Sequence, residues 1–149
     1  MVKPLLSTFY RLRRLVSPNK ASAQPTRSDP RPLTKWNFHR SARPFYAAFF
    51  SAPYRQIHWS LEALAVHPLY QGKGHGRQLV EDGLQRARSD PQEGDLPACV
   101  IAADGKEGFY QKCGFAELVG WISKATGEDG TDNPLRRNGV GGGAVLWTR

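Results

Sequence analysis

Between Trp59 and Thr148 the apolar positions fall into short runs whose period changes from one run to the next. The first, W-S-L-E-A-L-A-V-H-P over residues 59–68, is closed by a proline that cannot donate to a ladder, and it predicts a strand ending near His67. After a glycine-rich break, Leu79, Val80, Gly83, Leu84 and Ala87 recur at helical spacing on one face. Arg77, Glu81, Asp82, Gln85, Arg86 and Arg88 are left on the other, the pattern of an amphipathic helix. Residues 98–103, A-C-V-I-A-A, are small or branched enough for a buried parallel strand. Together these runs predict a βαβ unit with a right-handed crossover. A short helix from about Lys106 to Cys113 places Phe109 and Cys113 at i and i+4 on the core side. Gly114 is then its left-handed stop and Phe115 opens the next strand. Residues 143–148, G-A-V-L-W-T, supply a final strand.

The break between the first strand and the helix reads Q-G-K-G-H-G over residues 71–76. Gly72, Gly74 and Gly76 allow a tight turn and a close approach of main-chain N–H groups to a ligand. The unpaired donors of a first helical turn and its positive dipole end favour an anion there, and Lys73 and Arg77 add charge. Two familiar phosphate loops do not fit. No Gly-Lys-Ser or Gly-Lys-Thr of a Walker A loop occurs anywhere in the chain. A dinucleotide G-x-G-x-x-G fails as well, with Arg77 or Leu79 standing where the third glycine belongs.

What remains, Q-x-x-G-x-G, resembles the pyrophosphate loop of the GNAT superfamily of acyl-CoA-dependent N-acyltransferases. The later phrase G-F-Y-Q-K-C-G-F over residues 108–115 is similar to the family's F-Y-x-K-x-G-F signature, and the two occur in the family's order. The phrase L-A-V-H-P-L-Y-Q-G-K-G-H-G, with Trp59 before it, is especially similar to the fungal branch. The resemblance covers residues 59 to about 122 and implies an α/β fold with a mixed central sheet flanked by helices. It also implies a strand, two helices and two further strands ahead of the strand ending at His67. Residues 38–58 hold one plausible apolar segment, P-F-Y-A-A-F-F-S-A-P-Y, and residues 1–58 do not yield two helices and three good strands, so a shortened N-terminal half is expected.

Family chemistry then carries over residue by residue. Gln71, Gly72, Lys73, Gly74, His75, Gly76 and Arg77 would hold the pyrophosphate of acetyl-CoA, and main-chain groups of Leu64, Ala65 and Val66 its pantetheine amides. One N–H of that set would also meet a developing oxyanion. Tyr110 stands at the family's general-acid position, where it would protonate the departing thiolate; the alternative is a packing aromatic. Glu62, four residues before Val66, shares a face with it if the strand alternates, and is the candidate base acting through water; the alternative is a solvated or ion-paired carboxylate. Where the family commonly has an asparagine after the second strand, this chain has Ala103, Asp104 and Gly105. The loop over residues 123–142, with Glu128, Asp129 and Asp132, is expected to project over the acceptor side, as an acidic rim that attracts an amine or simply as a solvated loop. The implied reaction is direct attack of an amine, on a small molecule or a protein, upon acetyl-CoA. A non-catalytic CoA-binding or interaction module remains the competing reading.

Charge and composition add a boundary. Residues 1–60 carry eleven Lys and Arg against Asp29 alone, a balance of +10, whereas the remainder carries ten bases and twelve acids, a balance of −2. With five prolines over residues 1–32 and only F-Y-R-L-R-R-L-V as an apolar stretch, residues 1–35 are expected to be a basic tail or targeting segment, and 36–149 the folded domain. An Arg-rich, acid-poor start also fits a mitochondrial transit peptide; otherwise a cytoplasmic location is expected. Cys99 and Cys113 lack C-x-x-C spacing and read as reduced packing residues. No apolar run approaches the roughly 20 residues that span a bilayer. Nor does a metal-ligand pattern or nucleic-acid recognition motif occur.

Overall fold

A computed structural model describes residues 8–16, 42–127, 130 and 132–148 of the chain. Its strands are β1 (Thr8–Val16), β2 (Ile57–Val66), β3 (Ala98–Ala102), β4 (Glu117–Trp121) and β5 (Ala144–Trp147). The helices are α1, described over 42–46, α2 (His75–Arg88), α3 (Glu107–Lys112) and α4 (Pro134–Arg137). The sheet runs β1-β2-β3-β5-β4, so the last strand inserts between β3 and β4. Only β2 and β3 are parallel; the other three pairings are antiparallel. This is the mixed α/β sheet expected of an acyl-CoA N-acyltransferase fold.

The sequence reading puts Thr8–Val16 in a basic tail, but the backbone instead forms an edge strand paired with β2 along its whole length. Local composition does not reveal this, because a ladder partner more than 40 residues away supplies what the segment lacks by itself. The rest of the expected tail lies outside the described residues.

The strand β2 is the hub of the sheet, and it is not regular. Leu61 pairs with Leu12 and Ala63 with Arg11, which leaves Glu62 as an extra residue in a β-bulge. A bulge reverses the alternation of faces beyond it. Leu61 and Leu64, three apart, accordingly share one core with Val80 and Leu84 of α2. Towards β3, pairing runs only through Trp59↔Ala98, Ser60↔Cys99 and Leu61↔Val100. Beyond Leu61 the two parallel strands part, and a wedge opens towards their carboxyl ends.

The sheet buries both faces. On one, Leu61, Ala98, Val100, Ala102, Ala144 and Leu146 meet the apolar face of α2, with Cys113 and Phe115. On the other, Cys99, Val145 and Trp147 pack with Ala42, Ile122 and Leu135, and with Tyr46, Phe49 and Phe50. Phe49 docks on Gly120 so closely that a Cβ there would lie 2.7 Å from its Cζ. Cys99 and Cys113 are buried in different cores and serve packing; burial pushes the Cys99 thiol far above its ordinary range.

Arg55 closes the second core from the side. It is 6% exposed, pairs with Glu117 at 2.6 Å, donates to the Phe49 carbonyl, and lies over the Trp147 ring. The His58 ring sits against Trp147 at 4.9 Å and Phe50 at 5.9 Å. Its Nδ1 lies 2.8 Å from the Arg55 carbonyl, which can only accept, so Nδ1 carries the proton. Burial holds this imidazole below its ordinary pKa. The neutral form is favoured in the native state, so its stabilising contribution is full above the unfolded pKa of about 6.5. It is lost as pH falls towards the lower native value. Urea midpoints at pH 7 and pH 5 should therefore drop less in His58→Asn than in wild type; equal drops would remove His58 from the account.

Candidate functional site

Three features converge at the carboxyl ends of β2 and β3. The first is the loop. Gly72 and Gly74 have φ of +74° and +84°, and with nothing within 4 Å of a built Cβ at either, conformation and not crowding demands glycine. Gly74 caps α2 with no side-chain hydrogen bond, and the first intrahelical bond runs from Gln78 N to Gly74 O. The main-chain N–H groups of His75, Gly76 and Arg77 thus precede the ladder and face outward as donors. Gly76 serves close approach: a Cβ there would sit 3.5 Å from Phe109 Cζ and 3.6 Å from Val66 Cγ2.

The loop's side chains contact their own neighbours. Gln71 Nε2 donates to the Val66 carbonyl at 2.8 Å, so this side chain clips the loop to the strand end. Arg77 is paired with Glu81 at 2.6 Å one helical turn on. Lys73 Nζ lies 5.5 Å from the centre of the Tyr70 ring. Tyr70 also meets the rings of His67 and His75, and His67 Nδ1 accepts from Leu69 N, capping the 3-10 turn Pro68–Tyr70.

The second feature is the wedge. Trp59 N donates to Pro97 O, which directs the main-chain groups of residue 59, and by alternation those of Leu61, towards β3. After the bulge that direction passes to Leu64 and Val66, while Ala65, opposite Phe9, turns towards β1. Of the three residues expected to offer amide partners, only Leu64 and Val66 present them to the wedge; the Ala65 assignment is corrected by the bulge. The Val66 carbonyl already accepts from Gln71, leaving its N–H and both groups of Leu64.

The bulge also corrects the face assigned to Glu62. Strict alternation would put it beside Val66, but Val66 reaches Gly76 on the α2 side, whereas Glu62 is exposed on the opposite face with Ala63. A carboxylate there lies across the sheet from the loop, on the side carrying α1.

The third feature is α3. Its stop at Gly114, φ +105°, behaves as the helix–glycine–strand pattern predicts, whereas Phe115, fully buried, does not open the strand: β4 begins at Glu117. Phe109 packs against Gly76 at the start of α2, which brings Tyr110 to the same end of the sheet. The Tyr110 ring is half-buried and held edge-on by Phe109 at 5.0 Å and Phe115 at 6.1 Å. Burial pushes its phenol above the ordinary range, so it stays protonated at neutral pH. At the other end of α3, Glu107 accepts from Trp121 Nε1 at 3.2 Å, and hydrogen bonds to its carboxylate hold its pKa down.

Asp104 is exposed after β3, and the glycines of the last loop crowd it: a Cβ at Gly142 would fall 2.8 Å from its amide nitrogen. Of the acidic rim expected over 123–142, Asp132 alone lies within the described residues. Asp132 is bound by Arg136 at 2.6 Å and lies 3.7 Å from Arg137, while Glu128 and Asp129 lie outside the described residues. Asn133, fully buried, ties this loop down by donating to Ile122 O and Ala125 O and accepting from Leu135 N. Among the described residues no cluster of three or more His, Cys, Asp or Glu is placed to hold a metal, and no helix is long and apolar enough to cross a membrane.

In comparison with known families, the model of the Acetyltransferase (GNAT) domain aligns with residues 45–117. That span includes β2, the loop, α2, β3 and α3, and it supports placement in the GNAT superfamily and acyl transfer as the general activity. No curated protein and no solved structure matches the chain.

Proposed function

We propose that the protein is an N-acetyltransferase that moves an acetyl group from acetyl-CoA to an amine. The observation that carries this reading is the wedge between β2 and β3, which opens beside the N-terminus of α2 and on the same end of the sheet as Tyr110. In open α/β sheets, the crevice beyond the strand carboxyl ends is where ligands bind. The residues present suit the donor. Three main-chain N–H groups and the helix dipole would take the pyrophosphate, and Leu64 and Val66 would pair with the pantetheine amides as an extra strand pairs with a sheet edge.

Acetyl-CoA brings an activated thioester. The acceptor nitrogen forms the new C–N bond, the C–S bond breaks, and Tyr110 gives its proton to the departing sulfur. The second proton, released by the amine, passes to Glu62 through water from the opposite face. The Leu64 or Val66 N–H would meet the charge that develops on the acyl oxygen. A binding module without turnover is the second reading; the exposure of the sheet face around Ile101 favours it, because no described element covers an acceptor there.

Thiol release from acetyl-CoA across an amine panel, run beside calorimetric titration with CoA, separates the two. Turnover supports the enzyme, CoA binding without turnover supports the module, and failure to bind CoA removes both. In the titration Gly74→Ala should weaken CoA about tenfold, because a left-handed residue with a Cβ costs about 1–2 kcal/mol and the loop relaxes away from its donor geometry. Unaltered affinity would place the pyrophosphate elsewhere.

A further inference from the structure

Ile101 is anomalous for its position. It lies in β3, between β2 and β5, where flanking strands normally ensure burial, yet it is 52% exposed while the other four residues of the strand are buried. The ladder between β2 and β3 ends one residue earlier, at Leu61↔Val100, so Ile101 lies just beyond the last pair. It stands at the apex of the wedge. Ala98, Val100 and Ala102 belong to the core under α2 and Cys99 to the core under α1, so alternation turns Ile101 to the α1 side.

The two sides of the apex differ. Towards α2 it is closed, because Leu61 and Val100, 6% and 2% exposed, pack there in one core with Val80 and Leu84. Towards α1 it is open at Ile101 among the described residues. The strand β2 narrows this side little. His58 faces Trp147 in the second core, Ser60 follows it by alternation, and beyond the bulge Ala65 lies on the face opposite to Leu64 and Val66. Glu62, which shares this face, is engaged by a partner of its own. A CoA whose pyrophosphate lies at the start of α2 runs its pantetheine down the wedge and brings its thioester to the apex. Only the α1 side leaves room there for acyl carbons.

We infer that the acyl group of the donor lies along Ile101, and that the protein takes butyryl- and hexanoyl-CoA as well as acetyl-CoA. This rests on the acetyltransferase reading and goes beyond it. An acetyl group ends at the apex and leaves the Ile101 side chain in water, whereas the added methylenes of a longer acyl group cover it and are themselves removed from water. The transfer is unchanged. The amine nitrogen bonds to the acyl carbon, the C–S bond breaks, and the proton lost by nitrogen balances the one gained by sulfur.

The test uses the full chain, and its first arm needs no acceptor: CoA, acetyl-CoA, butyryl-CoA and hexanoyl-CoA are titrated calorimetrically. Each methylene laid on an open face should tighten binding about twofold, less than full burial would give, so hexanoyl-CoA should bind about tenfold more tightly than acetyl-CoA. Ile101→Ser, which removes the apolar contact without adding charge, should abolish most of that gain, and Ile101→Leu should keep it. CoA itself should bind all three proteins alike, which also reports that each is folded. In the second arm, with an amine that accepts acetyl, butyryl-CoA should support thiol release with a kcat/KM at least equal to that of acetyl-CoA. Equal affinity along the series, a gain that survives Ile101→Ser, or butyryl-CoA turned over far more slowly than acetyl-CoA would each overturn the inference and leave the acetyltransferase reading intact. Loss of CoA binding, or CoA binding with no turnover of acetyl-CoA on any amine, would instead remove the reading beneath it.

Discussion

Tyr110→Phe is expected to lower kcat at least about 100-fold while leaving CoA affinity unchanged. General acid catalysis contributes roughly 10²–10⁴ to rates of this kind, and nothing but the hydroxyl is lost. The ring contacts that position the side chain, with Phe109 and Phe115, are preserved by phenylalanine. The direction of the phenol shift matters here. Burial keeps the proton on oxygen, so the acid form is present throughout the neutral range. Steady-state thiol release together with CoA titration checks the prediction. A thioester donor whose thiol is more acidic should recover part of the lost rate, because its leaving group needs less help. If the phenylalanine variant retains wild-type kcat, Tyr110 is a packing aromatic and the proton comes from elsewhere.

Trp147→Ala is expected to cost about 3–5 kcal/mol, the usual scale for truncating a buried aromatic to alanine. Against a native stability of about 5–15 kcal/mol this takes much of the margin. The residue is fully buried on β5, paired with Cys99 on one side and Glu117 on the other, and it is the ring on which His58, Phe50 and Arg55 all rest. Trp147→Phe should cost far less. The indole Nε1 is buried without a hydrogen-bond partner, so phenylalanine removes an unsatisfied donor along with the second ring. Denaturant midpoints should order wild type and Trp147→Phe close together, with Trp147→Ala well below. A phenylalanine variant as unstable as the alanine one would show that the indole nitrogen contributes a bond.

The central unit was legible because its signals are local. The helix α2 follows from Leu79, Val80, Gly83, Leu84 and Ala87, and its start from glycines whose φ values no other residue adopts readily. The stop at Gly114 was legible for the same reason. The residues of the loop and Tyr110 stand out by motif, and their arrangement needs only a strand, a turn and two helices in order.

Three features that depend on a distant partner could not be read. Thr8–Val16 resembles a tail in composition and is a strand only because β2 has an edge to offer. The insertion of β5 between β3 and β4 is likewise a matter of pairing and not of its own letters. The bulge at Glu62 has the largest consequence for the site. One extra residue parts Glu62 and Val66 onto opposite faces of the sheet, sends the Ala65 main chain towards β1, and leaves Leu64 and Val66 facing the wedge. By itself the sequence determined that a glycine-rich loop stands between a strand and a helix, with a tyrosine two elements later. Tertiary structure alone decided which groups face the opening, because side-chain and hydrogen-bond directions along a strand are set by its register with its neighbours.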